Sequence, residues 1–140
     1  SEMCIRDSYY KTLLEQCDMG LENRLGVQVG TLSGGQRQAL ALIIANMTDI
    51  KLLILDEHIA ALDPKSSERV MMLTDKLVKA NKITTLMVTH NLRFAVEYGN
   101  RLVMMHEGNA VLDIKGEEKA NAKVEDLLDI FDKISIEKGN

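Results

Sequence analysis

The sequence predicts an α/β layer fold, on three observations. Two short apolar runs, "LLIL" at 52–55 and "ITTLMVT" at 83–89, fit strands covered on both faces of a parallel sheet. A segment with helical apolar spacing follows each run. A third pattern, "RLVMMH" and "AVLDI" on either side of "EGN", reads as a β-hairpin in which Gly108 can take a positive φ. Strand, helix, strand, helix and hairpin in that order make a layered fold with an added antiparallel edge.

Each element has a local reason. "YYKTLLEQCD" (9–18) carries Tyr10, Leu13, Leu14 and Cys17 at helical spacing, and Met19 with Gly20 predicts its end through a left-handed glycine. "LENRLGVQVG" (21–30) reads as a loop with two more glycines. A helix of about four turns then opens at Ser33 and ends near "NMTD", with Leu40, Ile43, Ile44 and Met47 on one face. Asp63 is a preferred N-cap, followed by Pro64 at the first helical position, and Val70, Leu73, Leu77 and Val78 form that helix's apolar side. "NLRFAVEYG" (91–99) is a short helix stopped by glycine. "KVEDLLDIFDKI" (123–134) is amphipathic, and the stretch 124–136 is expected to pack on the domain. The eight methionines, among them Met71, Met72, Met104 and Met105, read as core filling.

Composition excludes several classes. With 46% hydrophobic and 27% charged residues over 140 positions, one ordinary globular domain or a large piece of one is expected. The net charge of −4 and the lack of a Lys/Arg stripe argue against a nucleic-acid surface. Cys4 and Cys17 match no metal or C-x-x-C spacing, which predicts a reduced, cytoplasmic protein without a disulfide framework. No apolar run approaches the roughly 18 to 20 residues of a spanning helix, so a membrane link is expected only through a partner.

Three motifs carry chemistry. In "LLILDEH", Asp56 and Glu57 stand at the carboxyl end of a strand, where open α/β sheets place ligands. In a phosphate-transferring site the first carboxylate can hold Mg²⁺, and the second can orient the attacking water. In "LSGGQ", Ser33 and Gln36 fit a capping box, while Gly34 and Gly35 cost helix stability, roughly 1 kcal/mol each against alanine. Close approach of a phosphate to the helix N-terminus accounts for such glycines, whereas a merely well-capped helix does not. In "VTHN", His90 lies just past the second strand, beside Asp56 and Glu57 if the strands are neighbours. His58 and His106 have no such support and read as structural or surface residues.

These pieces in this order resemble the nucleotide-binding subunit of ABC transporters, over about residues 9–131. "LSGGQRQ" is similar to the signature, "LLILDE" to Walker B, "AALD" to the D-loop and "VTHN" to the switch histidine. The resemblance implies a partial P-loop NTPase fold: the end of the helical subdomain (9–50), a core of parallel strands with flanking helices and the hairpin (51–116), and a C-terminal helix and tail (117–140). It implies that Asp56 helps hold Mg²⁺, that Glu57 is the catalytic glutamate, and that His90 contacts the γ-phosphate of ATP. Ser33, Gly34, Gly35 and Gln36 would close over ATP bound to a second nucleotide-binding subunit, and the D-loop, Ala60 to Asp63, would position the histidine across the dimer. Transmembrane permease subunits and an extracytoplasmic solute-binding protein are the further partners implied, with the ATPase held at the inner face of the membrane.

Departures from the family pattern sharpen the expectation. "DEHIAALD" has His58 and Ile59 where the family commonly has proline and threonine, a form similar to bacterial importers of amino-acid-like substrates, aromatic ones included. No G-x-x-x-x-G-K-[ST] occurs in the 140 residues, so the chain resembles the C-terminal part of such a domain, and residues 1–8, "SEMCIRDS", resemble no part of it and are expected to be a non-native N-terminal extension. Alone, it is expected neither to bind ATP well nor to hydrolyse it. Loss of the first strands is expected to expose apolar sheet edges and to make the chain poorly soluble. A soluble ATPase of the same family, or a non-catalytic module offering its signature to another chain, are the alternatives.

Overall fold

Two parallel strands joined through a long helix form the centre of the first of two units. The structure, a computed structural model, describes residues 2–137, divided between the units Ser1–Val88 and Thr89–Asn140. The first unit runs α1 (Glu2–Glu15), two single 3-10 turns (Leu21–Asn23 and Val29–Thr31), α2 (Gly34–Asn46), β1 (Leu52–Asp56), α3 (Pro64–Asn81) and β2 (Thr84–Val88). β1 and β2 pair in parallel, with Leu52 opposite Thr84 and Asp56 opposite Val88, and α3 supplies the crossover that parallel pairing requires. Asp63 starts α3 as expected: its carboxylate accepts the Ser66 N–H at 3.0 Å, and Pro64 occupies the first turn. Val70, Met71, Leu73 and Leu77 of α3 are buried, as are Ala39, Leu42 and Ile43 of α2 and Leu55 of β1.

Three expectations need correction in this unit. The buried residues of α2 are Gly35, Ala39, Leu42 and Ile43, while Ile44 and Met47 are exposed. Small residues lie on the side where two helix backbones approach closely, so a pattern built on large side chains alone selects the wrong face. The strands are covered on one face only: Leu55 is buried and Leu53 half-buried, whereas Leu52, Ile54, Leu86 and Val88 are 57%, 60%, 56% and 47% exposed. Side chains alternate along a strand, and in this two-stranded sheet the apolar residues on the second side have no covering layer within the unit. Finally, α1 begins at Glu2 and ends at Glu15, short of Asp18. Asp18 (φ 49°) is the first left-handed residue, and Gly20 (φ 72°) leads into the 3-10 turn instead of closing the helix.

The second unit holds α4 (Leu92–Glu97), β3 (Arg101–His106), β4 (Asn109–Lys115), α5 (Gly116–Asn121) and α6 (Val124–Glu137). Glu107 and Gly108 join the antiparallel strands with φ of 47° and 79°, the two positive angles of a type I′ hairpin turn. Leu102, Met104 and Ile114 of the hairpin pack with Leu127 of α6, so the amphipathic tail helix is part of this core. The short polar helix α5 has no apolar period to announce it. Its Lys119 is buried, with the ammonium donating to the Val96 carbonyl at the end of α4, and burial pushes that lysine's pKa down. Met71 and Met104 fill cores, but Met72 and Met105 face outward at 63% and 59% exposure, because each adjoins a buried neighbour on the opposite side of its element.

Candidate functional site

The carboxylate pair sits where the strand gives way to a tight turn. Asp56 ends β1 level with Val88 and is exposed. The Glu57 N–H extends the ladder by donating to the Val88 carbonyl at 2.9 Å, and its own carbonyl accepts the Ala60 N–H at 3.0 Å. To make both bonds Glu57 takes φ 48°, a left-handed backbone that costs a non-glycine residue about 1 kcal/mol or more and gathers at functional positions. Buried Ile59 anchors the turn from below. The Leu62 N–H donates to the Ile59 carbonyl at 3.1 Å, and the buried Ser67 hydroxyl reaches the carbonyls of both Ile59 and Leu62 at 3.4 Å. Hydrogen bonds from Ser66 hold the Asp63 carboxyl below its usual range. His58, half-buried with Nε2 3.5 Å from the Thr74 hydroxyl, has its pKa lowered by burial, which favours a neutral ring and supports the structural reading of this residue.

The start of α2 is capped reciprocally. Ser33 Oγ accepts the Gln36 N–H at 3.2 Å, and Gln36 Oε1 accepts the Ser33 N–H at 3.0 Å. The other end of the Gln36 amide donates to the Met19 carbonyl at 3.0 Å, and Arg37 Nη1 donates to the Leu32 carbonyl at 2.6 Å. Both glycines lie against other parts of the fold. A β-carbon at Gly35 would stand 2.9 Å from Ser66 Cβ and 2.9 Å from Met19 Cε, and one at Gly34 would stand 3.1 Å from Leu62 Cδ2. The expectation that a ligand alone accounts for the two glycines is therefore corrected: packing asks for Gly35 outright. Their N–H groups still occupy the positive end of the helix, where intrahelical acceptors do not reach.

His90 is the second residue of the second unit, two beyond Val88, and is exposed. Next to it the Asn91 side chain accepts the Phe94 N–H at 3.1 Å and caps α4. The structure thus brings Asp56, Glu57, the turn 59–63 and the signature turn into one unit, while His90 belongs to the other. Sequence reasoning placed Met19 only at a helix end and Leu62 only inside "AALD", and nothing in the pattern marks Ser66 or Ser67. Among the described residues no three His, Cys, Asp or Glu side chains cluster as a metal site. Asp56 fits as one ligand of an Mg²⁺ ion that keeps phosphate oxygens and waters in its shell, the usual way that ion binds.

A family model described as ABC transporter matches residues 5–60, a span that carries the signature turn and the strand with its two carboxylates. Over 120 residues the chain is 53% identical to a tyrosine transport ATP-binding protein of Clostridioides difficile, a match covering 86% of this chain and 48% of that protein. The chain belongs to the ABC transporter ATP-binding family. A second family member, the methionine import ATP-binding protein MetN of Streptococcus mutans, is 37% identical over 114 residues, 78% of this chain and 32% of that one. The fold matches the crystal structure of the ADP conformation of the ATP-binding cassette MJ1267, with a TM-score of 0.70 at 28% identity over 94% of this chain and 50% of that one. The chain thus spans about half the length of the tyrosine-transport relative and of the solved cassette. Among the described residues no helix is long and apolar enough to cross a membrane.

Proposed function

We propose that this chain forms the signature-bearing and water-activating part of an ATPase subunit that energises an ABC importer of an aromatic amino acid. The observation that carries the reading is the Asp56–Glu57 pair, held by a left-handed turn at the carboxyl end of a parallel strand. That placement suits phosphoryl transfer to water, in which positioning and charge supply most of the catalysis. Glu57 orients the water and accepts its proton; Asp56 would hold Mg²⁺ through its carboxylate. When bound, that ion neutralises charge on the phosphate oxygens. His90 donates to the γ-phosphate.

In this reading the signature turn faces ATP held by a second nucleotide-binding subunit. The Ser33 hydroxyl, which accepts from Gln36 N–H, keeps its own proton for a phosphate oxygen, alongside the N–H groups of Gly34 and Gly35. Gln36 acts as the brace of that turn, because both ends of its amide are engaged within the chain. Asp63 ends the turn that meets the partner subunit. The tyrosine-transport relative at 53% identity supports the choice of cargo, and the import-named relative supports the direction. Permease subunits then hold the ATPase at the cytoplasmic face of the membrane, and an extracytoplasmic binding protein delivers the solute.

The 140 residues hold these groups without a glycine-rich phosphate loop, whose backbone N–H groups and lysine supply most of the binding in cis. A fluorescent-ATP titration of the isolated chain is expected to show no saturation at micromolar nucleotide. Micromolar affinity would overturn the division of labour proposed here.

A further inference from the structure

We infer that Leu62 and Ser66 are positioning residues that lock the start of α2 to the turn after β1, so that the signature turn and Glu57 move as one piece. The inference rests on the ATPase reading above and adds a route between its two nucleotides. On one side, Leu62 Cδ2 and Ser66 Cβ stand 3.1 Å and 2.9 Å from where β-carbons on Gly34 and Gly35 would be, so they fill the room that the two glycines leave. On the other, the Ser67 hydroxyl ties the Leu62 carbonyl to that of Ile59, and the Glu57 carbonyl closes the same turn on the Ala60 N–H.

Apart from Leu62 Cδ2, the tip of a side chain, every link in this chain is backbone, a hydrogen bond or a β-carbon. Ser66 Cβ is one bond from its backbone and cannot swing aside, unlike Met19 Cε, the far end of a flexible side chain that touches the same glycine. Packed elements of this kind pass on a displacement in place of absorbing it. In the proposed dimer the signature turn closes on the partner's ATP while Glu57 attends to its own. Closure over one nucleotide therefore sets the carboxylate beside the other, through this subunit alone.

The two roles of Gly35, room for Ser66 and access for phosphate, separate in a double-mutant cycle. Gly35→Ala, Ser66→Gly and the double variant are made in the intact subunit, this chain together with the phosphate-binding half its relatives carry. ATPase kcat and KM are measured per folded molecule. The Gly35→Ala change is expected to lower kcat by about tenfold or more with KM little altered, and Ser66→Gly in the same molecule to return kcat to within about threefold of the parent. In the 140-residue chain, Gly35→Ala is expected to lower the thermal midpoint by a few degrees and Ser66→Gly to restore it.

Recovery of kcat in the double variant supports the lock. Full activity of Gly35→Ala, or a folded double variant as slow as the single one, overturns it and leaves Gly35 to phosphate access. A midpoint that recovers while kcat does not confines the contact to stability and also overturns the lock. If the parent subunit hydrolyses no ATP, the functional reading fails first, and this coupling falls with it; the midpoints in the 140-residue chain still report the contact itself.

Discussion

The junction between α2 and α3 and the outer face of the β1–β2 sheet lie in the same unit and differ in how completely the chain satisfies them. At the junction, Gly35 fits against Ser66, the Ser33–Gln36 box is closed, and the Gln36 amide is bonded at both ends. On the sheet, Leu52, Ile54, Leu86 and Val88 face outward at 47% exposure or more. A contiguous apolar face of this kind marks a surface built for another layer. The site elements are thus held by local contacts that this chain supplies, whereas the sheet beneath them is finished on one side only.

Adjacent residues of β1 test that contrast most sharply. Leu55→Ala, on the covered side at 7% exposure, is expected to cost about 2 to 5 kcal/mol in urea denaturation, and Ile54→Ala, one residue away at 60% exposure, less than about 0.5 kcal/mol. Equal losses at the two positions would show that the outer face is covered after all. Leu86→Lys, at a position 56% exposed, should leave the denaturation midpoint within about 0.5 kcal/mol of the parent. Ser33→Ala removes one partner of the capping box and is expected to cost about 1 kcal/mol, read by the same denaturation curves.

A smaller effect comes from His58, whose folded pKa is lowered from 6.5 by burial. The neutral ring is favoured by folding, so its stabilising contribution is complete above that value and is lost as pH falls through the lower folded one. The thermal midpoint should fall between neutral pH and about pH 5, and less steeply in His58→Gln. An unchanged slope in that variant would assign the acid sensitivity to other groups.

Much of the architecture was legible because local chemistry and fold agree. Asp63–Pro64 announced α3, Ser33 with Gln36 announced α2, and "EGN" announced the hairpin, all through effects that span three or four residues. The buried side of α2 was not legible, because Gly35 and Ala39 are small where the helices touch and no hydrophobicity pattern rewards small residues. The one-sided covering of β1 was likewise hidden: "LLIL" is apolar at every position, and only the three-dimensional structure shows which residues gain a neighbour. Asp56 and Glu57 could be placed from strand-end logic alone. The left-handed backbone of Glu57 and the reach of the Ser67 hydroxyl depend on the turn's actual path.

The most direct measurement is single-turnover ATP hydrolysis by the intact subunit and by its Glu57→Gln variant, with nucleotide binding recorded in parallel. The account predicts that the variant still binds ATP and hydrolyses it about a hundredfold or more slowly, as loss of a general base does. Hydrolysis at the parental rate in Glu57→Gln would contradict it.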